Sequence, residues 1–401
     1  MPLFAPFRAL RYAPDADLDA VTAPPYDVLL EDDVQGLKDR DPHNIVHIDI
    51  PGGGGDRYAN AAHRLGLWTK TGVLAQDEVP SFTIYRMGFT DATGIARTIT
   101  GVLGGLEVVD EGAGGVLPHE RTTPKAKTDR LDLTRATAAN LSPVWGLSLA
   151  QGLTKALAAP GEPVGQMHAE GVLHSVERVS DPARITQIQR ILAADDVLIA
   201  DGHHRYAISR TYRDEIRKAT GSKATDAEYT LTFVNELIGE QLSIEAIHRL
   251  CTGIGFDDLK TALAKSFNIF AAPIPTPEAL REMESAGRLI LLAPDGKAFW
   301  LEPKSGAFVG VRALDGAYLE HALAGVDVQI SYQHGLEEMK QLVSSGQVSA
   351  GILIRPTSIG EIERTAREGL LMPPKSTFFT PKLRTGLVIR PTAPLPSHPS
   401  L

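Results

Sequence analysis

VLIADGHHRYAISR (197–210) is the stretch from which the fold is read. Four apolar residues, Val197 to Ala200, are too short a run for a helix and read as a buried strand. Asp201 and Gly202 punctuate it, DGHHRY (201–206) forms the turn, and a helix follows as far as Gly221. Strand, glycine turn and helix in that order indicate an α/β protein. The start of a helix presents unbonded N–H groups and a partial positive charge, so the turn suits a phosphate. Arg205 falls in the first helical turn with a bidentate fork. Asp201 ends the strand, where catalytic and metal-binding carboxylates often project. His203 and His204 are adjacent, point about 100° apart on a helix, and cannot act as an i, i+4 metal pair. The plainer reading, a helix cap with two surface histidines, leaves this density of functional groups without a purpose.

Outward from this stretch, DPARITQIQRILAAD (181–195) is predicted as a helix: Asp181 caps it, Pro182 opens it, and Ile185, Ile188, Ile191 and Leu192 form one stripe. RYANAAHRLGLWTKTG (57–72) is a second helix, stopping at Gly72. SFTIYRMGFTD (81–91), ARTITGVLGGLEVVD (96–110) and LHSVERVSD (173–181) read as strands. PHNIVHIDIP (42–51) alternates and is also predicted as a strand. TAPPYDV (22–28) reads as turn and strand, because Pro24 and Pro25 enforce extended backbone. EYTLTFVNEL and QLSIEAIHRL are expected to pair with each other about Gly239. Further on, GFDDLKTALAKSF is a helix, RLILLAPDGKAFWLEP (288–303) a hairpin, and two more helices fall near 335–345 and 359–369. The expected architecture is mixed α/β (α+β) around a mostly antiparallel or mixed sheet. Its divisions are a core domain over 1–253, a C-terminal lobe over 254–390 that returns MPPKST to the cleft, and a Pro-rich disordered tail, 391–401.

Composition narrows the function classes. The 401 residues carry 40 Lys and Arg against 49 Asp and Glu, a net charge of −9, which argues against a nucleic-acid-coating surface. A hydrophobic content of 43% with 22% charged residues is that of a globular protein with a real core. The 37 glycines and 27 prolines imply many tight loops. Cys251 is the only cysteine, so an internal disulfide and a thiolate zinc site are excluded, and its apolar neighbours mark it as a core residue. No apolar run approaches the ~18 residues needed to cross a bilayer. The N-terminus, broken by Pro2, Pro6 and Pro14, lacks a signal-type apolar region. The chain reads as cytoplasmic, with a small-molecule substrate and neither nucleic acid nor membrane as partner; its oligomeric state is not legible.

Two further segments concentrate reactive side chains. PHERTTPKAKTDR (118–130) carries His119, Glu120, Arg121, Lys125, Lys127, Asp129 and Arg130: a carboxylate for proton abstraction or metal contact, and cations for an anionic substrate. MPPKSTFFTPKLRTG (372–386) offers Lys375, Ser376, Thr377 and Lys382 as phosphate-type donors in a proline-stiffened frame. A solvated loop and an edge strand with exposed lysines are the respective alternatives. Tyr26 and Asp27 fit equally as turn residues, and His248, beside Arg249, equally as a satisfied core histidine. The P-loop, GxGxxG, HExxH and GxSxG patterns are all missing, which disfavours those site designs.

Taken in order, APPYDV (23–28), HERT (119–122), DGHHRY (201–206), IHR (247–249) and MPPKSTFFTPK (372–382) resemble a bacterial and archaeal family of unknown function, the "DUF ten-fifteen" family. The resemblance runs from FRALRY (7–12) to GLVIRP (386–391). The DGHHR turn is also similar to the Gly-x-x-Arg turn of the ParB and sulfiredoxin superfamily, in which a strand–turn–helix holds nucleotide phosphates. Members of that superfamily include free-serine kinases. This likeness implies a ParB/sulfiredoxin-like core. It also implies a phosphotransferase acting between a nucleotide (ADP/ATP) or pyrophosphate and serine or O-phosphoserine, with Mg²⁺. By the same resemblance Asp201, His203, His204 and Arg205 form the phosphate and metal centre. Arg205 and His204 would hold the transferring phosphate, and Asp201 would hold Mg²⁺ or orient His203. Glu120 would be the base with Asp27 in reserve, and Arg121, Lys125, Lys375 and Lys382 would neutralise charge. Tyr26, His119, Thr122, Gly202, His248, Arg249, Ser376 and Thr377 complete the expected substrate site. Two competing classes are a phosphatase or metal-dependent hydrolase using His119, Glu120, Asp201 and His203, and a ParB-type nucleotide-binding regulator, which the acidic charge disfavours.

Overall fold

The computed structural model describes residues 1–91, 94–119, 127–276, 282–283, 285–373 and 375–393. They form two compact units: Met1–Leu242 together with the chain from Pro381 onward, and Ser243–Thr380.

The first unit is built on a mixed sheet. Its strands are β1 (Phe4–Ala5), β2 (Phe82–Thr90), β3 (Ala96–Glu107), β4 (Val116–Leu117), β5 (Val144–Ser148), β6 (Glu162–Ala169), β7 (Val172–Val179), β8 (Val197–Asp201) and β9 (Tyr229–Glu236). They lie in the order β4–β8–β5–β9–β3–β2–β7–β6, with β1 alongside β3. The β4–β8 and β5–β9 pairs are parallel and the remaining pairs antiparallel. Alternation along the strands sends Phe82, Ile84, Val102, Leu106, Val197, Ile199 and Val234 into one core. Helix Pro182–Leu192 closes over it with Ile188 and Leu192, and its start is capped by Asp181 as the sequence indicates. Gly101 is required where β3 passes β9: a Cβ there would stand 2.4 Å from the Phe233 ring. A second core gathers Tyr12, Ile45, Ile48, Leu65, Trp68, Leu133 and Ile389 beneath helix Arg57–Lys70.

Three local expectations are corrected. PHNIVHIDIP forms the short helix Val46–Asp49 and not a strand. The Asn44 side chain accepts from the Val46 amide at 3.0 Å, and Ile45, Val46, Ile48 and Asp49 are all buried, so the alternation carried no two-sided pattern. In APPYDV, Pro25 is extended but Tyr26–Val28 closes a single 3₁₀ turn instead of continuing as a strand. The segments on either side of Gly239 do not pair. Residues 229–236 lie between β3 and β5, while His248–Thr252 belongs to the second unit.

The second unit holds an antiparallel six-stranded sheet. Its strands are β10 (His248–Thr252), β11 (Phe267–Ala272), β12 (Leu289–Leu292), β13 (Ala298–Pro303), β14 (Gln329–Gln333) and β15 (Ala350–Leu353), in the order β11–β13–β12–β15–β10–β14. The hairpin and the helices Phe256–Leu263, Leu336–Ser344 and Ile359–Arg367 fall where the sequence places them. Cys251 is buried in β10, as its apolar neighbours imply.

The division of the chain therefore differs from a boundary at 253 and a lobe running to 390. The break comes before Ser243, and the chain from Pro381 belongs to the first unit. There Thr385 pairs with Ala23, Ile389 with Leu10 and Arg390 with Asn140. Of the tail 391–401, residues 394–401 lie outside the described residues. Among the described residues no helix is long and apolar enough to cross a membrane.

Candidate phosphate site

Strand β8 ends at Asp201, Gly202 turns the chain, and helix His203–Thr220 begins at once. The turn is one residue long, tighter than DGHHRY implied. Gly202 has φ +85°, and a Cβ on it would lie 3.0 Å from Arg205 Nε and 3.3 Å from Val144 Cα. Only glycine meets both demands at low cost. No side chain caps this helix, whose first internal bond runs from the Tyr206 amide to the Gly202 carbonyl.

Four sequence segments meet here within the first unit. Asp201 Oδ1 accepts from the Gly202 amide at 2.7 Å, and Lys382 Nζ donates to Asp201 Oδ2 at 3.0 Å. Arg205 Nη2 lies 3.6 Å from Asp201 Oδ2 and 3.8 Å from Asp27 Oδ2. Arg205 Nη1 donates to Ser142 Oγ at 3.2 Å and to the Pro143 carbonyl. Its Nε and Nη2 are buried and make no hydrogen bond among the described residues. Burial raises the Asp201 carboxyl, but Lys382, Arg205 and the Gly202 amide outweigh it and hold the group well below the ordinary carboxylate range. Burial also opposes the charge on Arg205; Asp201 and Asp27 restore it, and its pKa is raised.

The two histidines behind the turn are neutral. His119 is fully buried, its Nδ1–H donates to the Ile199 carbonyl at 2.6 Å, and burial lowers its pKa to about 4. Its backbone amide donates to His203 Nε2 at 3.4 Å, with the rings edge-on at 4.7 Å. Burial first and then His119 push His203 well below the usual imidazole range. His204 is half-buried on the same turn. Tyr26 packs under Arg130, whose guanidinium lies 4.6 Å from the ring centroid. Burial raises the Tyr26 phenol to about 12. Arg130 also donates to the Asp49 backbone carbonyl at 2.5 Å, and burial lifts the Asp49 carboxyl above its ordinary value.

Glu120, Arg121, Thr122 and Lys125 lie outside the described residues. His248, Arg249, Lys375, Ser376 and Thr377 belong to the second unit, and IHR and MPPKST do converge there. Arg249 Nη1 donates to the Lys375 carbonyl at 3.3 Å, and the guanidinium lies 4.8 Å from the Tyr332 ring centroid. Ser376 Oγ donates to the Pro373 carbonyl at 2.7 Å. His248 Nδ1 accepts from the Ile354 amide at 3.3 Å, and burial lowers its pKa to about 4. The satisfied core histidine was thus the better reading of His248. Ser142 and Asp49 stand near this turn beside Arg130, a residue of the basic segment. Ser142 and Asp49 carried no local signal.

Three cavities open on these residues in the first unit. One of about 660 Å³ reaches Lys382 and Arg384. One of about 50 Å³ is bounded by Tyr26, Asp49, Arg130, Ser142 and Arg205, and one of about 300 Å³ lies beyond Tyr26 and Arg130. Among the described residues no group of three His, Cys, Asp or Glu is arranged to hold a metal ion.

The arrangement is that of a mixed α/β protein with a strand–glycine–helix turn. The chain belongs to the family described as "Protein of unknown function (DUF1015)", whose model matches residues 4–321. No curated protein matches it. Among solved structures it is similar to a free serine kinase in complex with AMP, at 13% identity and a TM-score of 0.38, covering 68% of this chain and 89% of that one. It is also similar to SbnI from Staphylococcus aureus, at 14% identity and TM-score 0.40, covering 74% and 90%. A conserved hypothetical protein from Pyrococcus furiosus is similar at 13% identity and TM-score 0.37, covering 66% and 87%.

Proposed function

We propose that this protein is a phosphotransferase. It moves a phosphoryl group between a nucleotide or pyrophosphate and a small hydroxy amino acid, serine and O-phosphoserine foremost. The reading rests on Arg205. Two of its donor atoms, Nε and Nη2, are buried without a hydrogen bond among the described residues, in the first turn of an 18-residue helix. Leaving a buried charged donor unbonded is costly, and the oxygens of a phosphate would satisfy it beside the positive end of the helix. Lys382 adds a second cation on the same turn.

Phosphoryl transfer asks a protein mainly for positioning and charge neutralisation. Magnesium that arrives with nucleotide phosphates needs only one or two protein carboxylates. Asp201, 3.6 Å from Arg205 Nη2, fits that need and would hold it; the ion, when bound, neutralises phosphate charge. Arg205 orients the phosphoryl oxygens, and Gly202 lets the backbone approach them. Asp27 takes the proton from the acceptor hydroxyl as the new oxygen–phosphorus bond forms and the bond from that phosphorus to the donor's bridging oxygen breaks, the nucleoside diphosphate or phosphate leaving with that electron pair; each step reverses in the other direction. Glu120 is the other carboxylate proposed for that role.

The test is phosphorus NMR of the protein with Mg²⁺ and O-phosphoserine, with and without ADP, beside Arg205→Ala. A nucleotide triphosphate signal that requires both ADP and Arg205 supports the reading. Free phosphate without ADP replaces it with a phosphatase at the same turn. Unchanged spectra remove serine as the acceptor.

A further inference from the structure

The cavity of about 660 Å³ in the first unit lies within the size range of small-molecule sites and shares Lys382 with the phosphate turn. Lys382 and Arg384 line it while Leu383 between them is buried in the core, so the segment turns two cations to one side. The Arg384 side chain is 3% exposed. Its Nη2 donates to the Thr22 carbonyl at 3.2 Å, and its Nη1 meets Glu170 Oε1 at 3.1 Å. His174 lines the same cavity, with Nδ1 hydrogen-bonded to the Tyr85 hydroxyl at 2.7 Å. Burial and then Arg384 lower the His174 pKa to about 3, so this wall is polar but uncharged.

Glu170 is set there against its backbone preference. It and Gly171 form the two-residue turn between β6 and β7, with φ values of +52° and +75°. Such a turn favours Asn-Gly, and the left-handed region disfavours a glutamate. The side chain held in that strained position is 70% exposed and pairs with the buried Arg384 across the cavity wall.

We infer that the Glu170–Arg384 end of this cavity binds a free α-amino acid, with Arg384 taking its carboxylate and Glu170 its ammonium. The reasoning is one of charge matching. A zwitterion presents to each partner the opposite charge that the two now present to each other, so it can replace the pair without stranding either. A simple cation would leave the buried Arg384 uncompensated, and a simple anion on Arg384 would face the like charge of the Glu170 carboxylate beside it. Lys382, two residues from Arg384, ties this end to the Asp201 turn. The inference deepens the proposed phosphotransfer and rests on it for the role of the bound amino acid as acceptor.

The test is calorimetric titration of the full chain with L-serine, L-threonine, ethanolamine and glycolate, repeated with Glu170→Asn. Ethanolamine lacks the carboxylate and glycolate the ammonium. The expected result is that an amino acid binds, that both partial analogues bind at least tenfold more weakly, and that Glu170→Asn weakens the amino acid at least tenfold. The same variant relieves the turn but leaves the buried Arg384 guanidinium without its carboxylate, so its melting temperature is recorded beside the titrations. A purely structural glutamate would change the melting temperature without any loss of binding, which would overturn the inference. Failure of either amino acid to bind would overturn it too. Phosphoryl transfer that is indifferent to Glu170 would overturn the pocket and leave the transferase standing. Amino-acid binding that depends on Glu170 without phosphoryl transfer would support the pocket and remove the transferase.

Discussion

Lys382 Nζ donates to Asp201 Oδ2 at 3.0 Å, joining two residues 181 apart in the chain at the mouth of one glycine turn. The bond fixes the carboxylate beside Arg205 and brings a cavity of about 660 Å³ to the same place. It also makes the turn sensitive to acid.

Asp201 has a lowered pKa, so its contribution to stability is present above the ordinary carboxylate pKa and is lost as pH falls through the folded value. Lys382→Met removes the leading charge that lowers it. The variant should lose about 1.5–3 kcal/mol at neutral pH, the range for a hydrogen bond between charged groups, and should titrate Asp201 at higher pH. Urea unfolding at neutral pH and carbon-detected NMR of the carboxyl measure both. An unmoved carboxyl titration would show that Arg205 and the Gly202 amide suffice.

Arg205→Lys is expected to behave nearly as Arg205→Ala in phosphoryl transfer. A lysine keeps the charge but not the planar fork that meets several oxygens at once. A loss of at least ~100-fold in kcat/KM, near the magnitude for removing one preorganised donor, is expected for both. Near-wild-type rates for the lysine variant would reduce Arg205 to a point charge.

Gly202→Ala places a methyl 3.0 Å from Arg205 Nε and forces an L-residue to φ +85°. The left-handed backbone alone costs roughly 1–2 kcal/mol. The variant should melt earlier and bind phosphate more weakly, since Arg205 is the neighbour that must move. Thermal melts with and without added phosphate separate the two effects.

Buried neutral histidines set a second pH dependence. His119, lowered to about 4 by burial, contributes stability fully above the unfolded imidazole pKa of 6.5 and loses it progressively as pH falls toward 4. The full difference corresponds to about 3 kcal/mol. His119→Gln should flatten the dependence of melting temperature on pH across that window. An unchanged slope would assign it to His174, His203 and His248, which burial also lowers.

Cys251 is fully buried in β10, and burial raises its thiol to about 12. The thiolate is the reactive form, so the native protein should resist alkylation by iodoacetamide until it unfolds. Rapid labelling at neutral pH would show that β10 opens.

Local signals were strong enough to read from sequence where one segment supplies its own reasons. The strand, glycine and helix over 197–220 follow from apolar run length, a residue tolerant of positive φ and a helical stripe. Asp181 and Pro182 start their helix by the same local logic. PHNIVHIDIP failed that reading because Ile45, Val46 and Ile48 are all buried, and the Asn44 side chain accepts from the Val46 amide at the start of the short helix. The sequence alone therefore determined that a buried strand delivers Asp201, Gly202 and Arg205 to the start of a helix. Tertiary structure decided that β8 lies between β4 and β5 and that the chain from Pro381 returns to the first unit. It also decided that Lys382, Asp27 and Ser142 stand around Arg205. Those outcomes depend on burial shared between segments far apart in the chain, and no local propensity encodes which distant surfaces will cover one another.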